Sequence, residues 1–240
     1  MDYKDDDDKL VDSLRACVFD AYGTLLDVHS AVMRNADEVG ASAEALSMLW
    51  RQRQLEYSWT RTLMHQYADF WQLTDEALTF ALRTYHLEDR KGLKDRLMSA
   101  YKELSAYPDA AETLEKLKSA GYIVAILSNG NDEMLQAALK ASKLDRVLDS
   151  CLSADDLKIY KPDPRIYQFA CDRLGVNPNE VCFVSSNAWD LGGAGKFGFN
   201  TVRINRQGNP PEYEFAPLKH QVNSLSELWP LLAKNVTKAA

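Results

Sequence analysis

Three short apolar runs in this chain each end at a polar or acidic residue, and amphipathic stretches separate them. The runs span residues 16–19, 122–127 and 181–184, a length that suits buried strands. A fourth run, at 201–204, has the same character. Alternation of buried strands with helical stretches is typical of a parallel sheet with crossover helices. The pattern therefore predicts an α/β fold, with helices at about residues 109–119, 132–141, 163–174 and 189–197.

The segment at residues 28–105 interrupts this alternation. It lacks strand-like runs, and its apolar residues recur at helical spacing, as at Leu46, Leu49 and Trp50. Such a segment predicts a helical cap domain inserted after the first strand. The sequence then divides into an expression tag and junction at 1–10, a Rossmann-like core at 11–27 and 106–235, and the cap at 28–105.

Residues 1–9, Met-Asp-Tyr-Lys-Asp-Asp-Asp-Asp-Lys, are an engineered epitope tag and take no part in the fold. The tag contributes −3 to the net charge of −7, which leaves −4 for the rest of the chain. A nucleic-acid-binding surface needs a basic excess, and a membrane span needs about 20 consecutive apolar residues. The sequence has neither, so we expect no nucleic-acid partner and no membrane span. No secretory signal follows the tag, and we expect a cytoplasmic protein.

The cysteines stand far apart, with no Cys-x-x-Cys spacing and no neighbouring His. This arrangement favours buried reduced thiols over disulfides or a zinc site at Cys17, Cys151, Cys171 and Cys182. The glycine-rich stretch at 192–195 lacks the spacing of a dinucleotide-binding loop. We therefore expect no cofactor.

Polar side chains follow three of the predicted strands. Ligands of open parallel sheets bind beyond the carboxyl ends of the strands, so these side chains are expected to converge on one rim. Taken singly, each has a simpler explanation, for instance Ser128 as a helix N-cap or Asp190 as an acid in the first turn of a helix. Their arrival in order at consecutive strand ends favours one functional site. Its candidate residues are Asp20, Ser128, Asn129, Ser185, Asn187 and Asp190.

The segment Phe19-Asp20-Ala21-Tyr22-Gly23-Thr24-Leu25 resembles the first motif of the haloacid dehalogenase superfamily, whose Asp is a covalent nucleophile. The three later motifs of that superfamily are matched by Ser128-Asn129, by Tyr160-Lys161-Pro162-Asp163 and by the stretch from Ser185 to Asp190. The resemblance implies that Asp20 attacks, that Thr24 helps to hold it, and that Lys161 keeps it ionised through charge-assisted hydrogen bonding. Without the resemblance, Lys161 would be read as a solvated surface lysine.

Two departures from the phosphatases of this superfamily bear on the chemistry. Phosphatases carry a second Asp two residues after the nucleophile, which protonates the leaving alcohol, whereas this chain has Tyr22. Tyrosine, with an unperturbed pKa of about 10, is a poor acid for that step. The fourth motif has Ser185 and Asn187 where phosphatases gather acidic residues around magnesium, so the site is under-charged for a hard dication. These departures argue against phosphoryl transfer and against a metal site.

The sequence also resembles the L-2-haloacid dehalogenases, from about residue 15 to residue 230. Matching stretches include Leu49-Trp50-Arg51-Gln52, Ser128-Asn129-Gly130 and Ser185-Ser186-Asn187-Ala188-Trp189-Asp190. By this resemblance Arg51, Asn129 and Trp189 receive the departing halide, although composition alone would make Arg51 a solvated helix residue. A halide needs no proton to leave, so an acid at position 22 is not required. The residues expected to bind substrate or halide are Ala21, Tyr22, Arg51, Gln52, Leu55, Phe70, Ser128, Asn129, Tyr167 and Trp189.

The resemblance implies that short L-2-haloacids are hydrolysed to D-2-hydroxyacids and halide in two steps. Ser128 and backbone N–H groups hold the substrate carboxylate while Asp20 displaces the halide and forms an ester. Water, activated by Asp190, then attacks the ester carbonyl and is ordered by Ser185, Asn187 and Lys161. A homodimer is also expected from the family. Two alternatives stay open: a magnesium-dependent phosphatase, and a non-catalytic binding protein for small molecules on the same fold.

Overall fold

The computed structural model of this chain describes residues 13–216 and 218–233. The predicted tag and junction at 1–10 lie outside the described residues, as do 11–12 and 234–235 at the ends of the predicted core. No helix in the two described ranges combines the length and the apolar character that crossing a bilayer requires.

The strands of the described residues form one large parallel sheet and one small antiparallel sheet. In chain order they are β1 (Ala16–Phe19), β2 (Leu26–Asp27), β3 (Ser105–Ala106), β4 (Ile123–Ser128), β5 (Ser150–Ser153), β6 (Val181–Ser185), β7 (Asn200–Ile204) and β8 (His220–Val222). The parallel sheet has the order β5-β4-β1-β6-β7-β8, so β1 lies in its middle. The register places Phe19 of β1 between Ile126 of β4 and Val184 of β6. The predicted α/β fold class is confirmed.

Helices cover both faces of this sheet and fill the segment between β2 and β3. Those between β2 and β3 are α1 (Ser30–Met33), α2 (Ala36–Val39), α3 (Ala43–Met64), α4 (Phe70–Thr84) and α5 (Leu93–Tyr101). Those that connect or follow the sheet strands are α6 (Ala110–Ser119), α7 (Asp132–Ser142), α8 (Pro164–Leu174), α9 (Ala188–Phe197) and α10 (Leu228–Leu232). The helices predicted after each strand end are present, and each begins within a residue of its expected start.

Local sequence explains where several of these helices begin. Asn131 accepts a hydrogen bond from the N–H of Met134 at the start of α7. Asp163 caps α8 in the same way, and Pro164 occupies the first helical position, where its missing N–H has no cost. Asp69 accepts from two backbone N–H groups at the start of α4. The starts of α4, α7 and α8 are therefore set by a polar residue directly before each helix.

Two strands of the large sheet are absent from the sequence prediction. The edge strand β5 reads Ser-Cys-Leu-Ser, and β8 reads His-Gln-Val, so neither forms an apolar run. Because β5 lies at an edge, Cys151 is exposed, whereas Cys17, Cys171 and Cys182 are buried free thiols. The expectation of a buried thiol at Cys151 is therefore wrong. In β3, Ser105 is also a strand residue inside the segment predicted to be helical.

The segment between β2 and β3 joins the rest of the fold through these two strands, which pair antiparallel. Leu26 lies opposite Ala106, and the N–H of Tyr107 donates to the carbonyl of Leu25 at 2.9 Å. Entry to and exit from the segment are therefore side by side, next to the turn that follows β1. The boundaries of a separate cap domain at 28–105 stay a prediction, and we use "cap" below for the helices α1–α5.

The long helices α3 and α4 pack against each other more extensively than any other pair of cap helices. Leu73 of α4 is fully buried in this packing, whereas Leu63 of α3 is 79% exposed. Trp50 of α3 is also buried, and its indole N–H donates to the carbonyl of Thr74 at 2.8 Å.

Replacing Leu73 by Ala should lower the free energy of unfolding by about 2–5 kcal/mol, because it leaves a cavity between packed helices. The matched change Leu63→Ala removes the same atoms from an exposed position and should stay within about 0.5 kcal/mol of the parent. Urea unfolding followed by circular dichroism measures both. Equal losses in the two variants would contradict this account of the packing.

Candidate active site

Asp20 directly follows β1, and its carboxylate accepts three side-chain hydrogen bonds while only 4% exposed. Lys161 Nζ donates to Oδ1 at 2.9 Å. Asn187 Nδ2 donates to Oδ2 at 2.7 Å, and Thr24 Oγ1 donates to the same oxygen at 3.2 Å. These donors come from three separate loops at the carboxyl edge of the sheet. The carboxylate is therefore fixed in position and in rotamer.

The ammonium of Lys161 lies between two buried carboxylates. Its three hydrogens are used by Asp20, by Asp190 Oδ2 and by the carbonyl of Leu127, the last at 2.9 Å. Burial opposes the charged form of Lys161, but the two carboxylates outweigh it and raise the pKa of Lys161 above its ordinary value. Lys161 is therefore held in its charged form.

Asp190, in the first turn of α9, is the most deeply buried acid of the cluster. Tyr167 OH donates to Asp190 Oδ1 at 2.8 Å, while Lys161 donates to the other oxygen. Burial raises the pKa of Asp190 to about 6; the charge of Lys161 opposes this shift and that of Asp20 adds to it. Burial also raises the pKa of Tyr167, so that its hydroxyl stays a donor. Asp190 can thus take up or give a proton near neutral pH.

Polar residues at the ends of β4 and β6 complete the rim. Ser128 ends β4 and Asn129 follows it, and the side-chain oxygen of Asn129 accepts the N–H of Lys161 at 2.9 Å. Ser185 ends β6 and accepts the N–H of Asn187 at 3.0 Å, which orients the Asn187 side chain toward Asp20. The rim residues predicted from strand ends are therefore linked through Lys161 and Asp20, apart from Ser128, whose hydroxyl accepts the N–H of Gly130 at 3.1 Å.

Arg51 brings a positive charge from the cap to this rim. Its Nη2 donates to the carbonyl of Tyr22 at 3.0 Å, two residues after Asp20. Its Nη1 donates at 2.8 Å to Gln54, which is buried and also bonds to Thr74 and Tyr101. Gln54 therefore fixes the guanidinium, and it lies one helical turn after Arg51 on the same face of α3.

Aromatic rings close one side of the cluster. Tyr22 is buried, lies at 6.2 Å from Phe70 and stacks on Tyr101 at 5.8 Å between ring centroids. Its ring covers the backbone of Gly130, where an added Cβ would lie 2.7 Å from Tyr22 Cε2. The Tyr22 hydroxyl is buried and has no hydrogen-bond partner among the described residues. This polar atom is therefore available to a bound molecule.

An apolar cavity of about 720 Å³ lies beside Lys161, between α3 and the loops of the core. Trp59 and Trp189 line it and meet edge to face at 5.3 Å between ring centroids. Leu55 is half-buried one turn before Trp59 on α3. A smaller cavity, of about 220 Å³, is lined by Arg51, Asn187 and Arg206 among other polar residues. The network thus has an apolar cavity on one side and a basic one on the other.

One residue predicted for the pocket lies elsewhere. Gln52 is exposed and donates to Glu56 on the same helix at 2.7 Å, because it points about 100° around α3 from Arg51. Tyr167, predicted to contact the substrate, is fully buried and reaches the cluster only through Asp190. The carbonyl of Ala21 accepts three backbone N–H groups and so stabilises the turn after Asp20, which leaves only the N–H of Ala21 for a bound molecule.

Sequence reasoning missed four residues that shape this site: Gln54, Tyr101, Gly130 and Arg206. A signal existed for Gln54, which is buried three residues after Arg51 on one helix face. A signal also existed for Arg206, which follows the end of β7 by two residues. Nothing local predicts Tyr101, because its contacts with Tyr22 and Gln54 are long-range.

Superfamily phosphatases hold magnesium at the equivalent edge of the sheet, and these residues do not fit such an ion. Lys161 bonds to both carboxylates that face each other there, and Ser185 and Asn187 replace further acids. A hard dication prefers several anionic oxygens that are free to bind it. Within the described ranges, no group of three or more His, Cys, Asp or Glu side chains is placed to hold a metal ion.

Comparison with known proteins agrees with this geometry. A family model described as haloacid dehalogenase-like hydrolase matches residues 14–198. The (S)-2-haloacid dehalogenase 1 of Pseudomonas sp. (strain CBS-3) is 68% identical over 224 residues, which cover 93% of this chain and 99% of that protein. The (S)-2-haloacid dehalogenase of Xanthobacter autotrophicus is 45% identical over 193 residues, 80% of this chain and 76% of that protein.

Solved structures give the same result. The L-2-haloacid dehalogenase from Xanthobacter autotrophicus with chloropropionic acid covalently bound has a TM-score of 0.84 and 38% identity. The similarity covers 92% of this chain and 99% of that one. The chain therefore belongs to the haloacid dehalogenase-like hydrolases and, within them, to the family of the (S)-2-haloacid dehalogenases.

Replacing Gly130 by Ala should lower the free energy of unfolding by about 1–3 kcal/mol, because the new methyl group would push against the confined ring of Tyr22. The matched change Gly195→Ala, inside α9, places its Cβ at 3.5 Å from Thr201, an ordinary contact. That variant should be as stable as the parent or up to about 1 kcal/mol more stable, because Ala favours helix. Thermal and urea unfolding measure both, and a neutral Gly130→Ala would contradict the close packing.

Proposed function

We propose that this enzyme is an (S)-2-haloacid dehalogenase that converts short L-2-haloalkanoic acids to D-2-hydroxyacids and halide. The observation that carries the proposal is the carboxylate of Asp20, which is fixed by three donors and has no acid two residues later. Such a group is suited to attack carbon and to release a leaving group that needs no proton. The 68% identity to a (S)-2-haloacid dehalogenase supports the same conclusion.

In the proposed complex, the substrate carboxylate lies at the carboxyl ends of β1 and β4. Ser128 supplies a hydroxyl there. The backbone N–H groups of Ala21 and Asn129 donate to no acceptor within the described part of the chain. Buried N–H groups are nearly always paired, so a bound carboxylate is a suitable partner for these two. This placement directs C2 of the substrate toward Asp20.

The first step is a displacement at C2. One oxygen of Asp20 forms a bond to C2 from the side opposite the halogen, and the carbon–halogen bond breaks with its electron pair on the halide. Attack from that side inverts C2, which converts an L-substrate into a D-product. Lys161, Thr24 and Asn187 hold the attacking carboxylate, and positioning of this kind supplies a large part of the acceleration.

The departing halide needs donors because it leaves with a full negative charge. The guanidinium of Arg51 lies beside the carbonyl of Tyr22, and the side-chain amide N–H groups of Asn129 donate to no other described residue. The indole N–H of Trp189 is buried without a partner among the same residues. We assign Arg51 and Asn129 to the halide because each has donors that the protein itself leaves unused. Trp189 lines the apolar cavity on the other side of the network from Arg51, so we do not assign it to the same ion.

The second step is hydrolysis of the aspartyl ester. Water attacks the carboxyl carbon of Asp20 while Asp190 accepts one proton of that water. The bond between this carbon and the ester oxygen then breaks, the proton held by Asp190 passes to that oxygen to form the alcohol, and the second proton of the water is lost to solvent as Asp20 returns to its carboxylate. The 2-hydroxyacid leaves with an oxygen that came from Asp20, and the oxygen of water remains on the aspartate. Lys161 and Asn187 bond to Asp20, and Ser185 bonds to the backbone of Asn187, so we assign these three residues to ordering the water.

The proposal includes a homodimer and a cytoplasmic location. The helix α3 exposes the apolar side chains of Met48 and Met64, which supports a contact between copies through the cap. Reduced, unpaired cysteines are the normal state in the cytoplasm, and the cysteines here are free.

Chloride should be released from the L enantiomer of 2-chloropropionate and not from the D enantiomer, and EDTA should leave the rate unchanged. The Asp20→Asn variant should release none above background, because an amide is a much weaker nucleophile. Ion chromatography of chloride with chiral analysis of the lactate measures this. Release from neither enantiomer, together with EDTA-sensitive hydrolysis of a phosphate ester, would instead identify a phosphatase.

A single turnover of L-2-chloropropionate in ¹⁸O-labelled water, with enzyme in excess, tests whether the reaction passes through the aspartyl ester. The label should appear in the side chain of Asp20 and be absent from the first lactate formed, as read by mass spectrometry of the peptide and the product. Label in the lactate during this turnover would mean that water attacks C2 directly, and the covalent route would be wrong.

The value of kcat should rise as the pH increases through about 6 and level off above it, because only ionised Asp190 accepts the proton of the attacking water. The raised pKa of Lys161 keeps its ammonium charged well beyond neutral pH, so no loss from that group is expected below pH 9 or so. A pH profile of kcat between pH 4.5 and 9 tests both limbs. A kcat that is flat from pH 5 to 7.5 would remove Asp190 from this role.

A further inference from the structure

Arg206 lies two residues beyond the end of β7, on the same rim as the catalytic cluster. Its side chain is 21% exposed, and its guanidinium spans two loops. Nη2 donates to the carbonyl of Thr24 at 3.0 Å, and Nη1 donates to the hydroxyl of Ser186 at 3.1 Å. Arg206 thus connects the turn after β1 to the loop after β6.

These two loops supply both donors to Oδ2 of Asp20. Thr24 Oγ1 donates to this oxygen and accepts the N–H of Ser186 at 2.9 Å. Asn187, the residue after Ser186, donates to the same oxygen at 2.7 Å. The position of Oδ2 therefore depends on how the two loops lie relative to each other, and Arg206 bridges them without touching Asp20 itself.

A third segment also meets Arg206. The guanidinium stacks over the ring of Tyr107 at 3.7 Å, and the carboxylate of Asp109 lies 3.9 Å away. Tyr107 directly follows β3, where the chain returns from the cap, and its N–H donates to Leu25 of the turn after β1. A planar guanidinium can stack and donate two directed hydrogen bonds at once, which a lysine cannot do.

We propose that Arg206 is a positioning residue for the nucleophile: it holds the turn after β1 and the loop after β6 in the register that places Thr24 and Asn187 on Oδ2 of Asp20. The inference rests on the proposed function, since it concerns the displacement by Asp20. The substrate carboxylate is assigned to the ends of β1 and β4, on the far side of Asp20 from Arg206. Loss of Arg206 should therefore affect the chemical step much more than binding.

The test compares Arg206→Ala and Arg206→Lys with the parent enzyme on L-2-chloropropionate. Misplacement of a reacting group by about 1 Å can lower a rate about 100-fold. We expect kcat of Arg206→Ala to fall by about 10- to 100-fold while KM changes less than about threefold. Arg206→Lys should recover only part of the loss, because it cannot bridge both acceptors. Methylguanidinium in solution should restore part of the activity of Arg206→Ala and none of that of Arg206→Lys.

Arg203→Ala is the matched control. Arg203 is a buried arginine of β7 whose side chain donates to the carbonyl of Pro210 and pairs with Glu212, with no side-chain hydrogen bond to either of the two loops among the described residues. Chloride release in a single turnover separates a loss of folded enzyme from a slower chemical step. The amplitude reports the folded fraction, and the rate reports the chemical step. Arg203→Ala should keep the parent rate whatever its amplitude.

A parent-like rate with reduced amplitude in Arg206→Ala would mean that Arg206 only stabilises the fold, and the inference would be overturned. A rise in KM with unchanged kcat would also overturn the inference, because Arg206 would then act on substrate binding rather than on the chemical step. If the parent enzyme itself released no halide, the proposed function would fail separately. Crystal structures of the parent and Arg206→Ala would then decide whether Asp20 keeps its side-chain position, and an unmoved Asp20 would reject the inference.

Discussion

The ammonium of Lys161, buried between the carboxylates of Asp20 and Asp190, is the interaction on which the site depends. Each buried ion loses several kcal/mol of hydration free energy, and mutual attraction offsets that loss only where the geometry is good and the remaining polar atoms are paired. Here all three ammonium hydrogens have acceptors, the third being the carbonyl of Leu127 in β4. Removing Lys161 would leave two carboxylates facing each other in a dry environment, and removing either carboxylate would leave one ammonium hydrogen without its acceptor. The ends of β1, β4 and β6 are thereby constrained together.

This arrangement also explains why the chemistry of this site differs from that of phosphatases with the same fold. The ammonium of Lys161 already bonds to both carboxylates and balances one of their two charges, so a dication has no free anionic pair to bind. The neutral donors Ser185 and Asn187 then suit a carboxylate nucleophile better than a dication. With Tyr22 in place of a proton donor, the site is matched to a leaving group that departs as an anion.

Much of the fold and the core of the site could be predicted because both follow from local patterns. The strand ending at Asp20 and the polar residues after β4 and β6 are visible as apolar runs with polar ends. The strands β5 and β8 could not be found this way, because edge strands need no apolar run. The family resemblance predicts Gln52 in the pocket, but Gln52 bonds to Glu56 on the surface of α3. Gln54 bonds to Arg51 instead, because it lies on the same face of the helix. Arg206 follows the same strand-end rule that located the other residues, applied to the fourth predicted strand.

Arg51 belongs to a cap helix, yet its guanidinium bonds to the carbonyl of Tyr22 in the turn after β1. The attacking atom and the proposed acceptor of the leaving group thus reside in different parts of the chain, which meet along a seam. A haloacid too bulky for the enclosed space would hold these parts apart, and its halogen would then face no guanidinium. The enzyme would thus discriminate between haloacids by size at the step in which the carbon–halogen bond breaks. An oversized acid would bind as an inhibitor rather than react slowly.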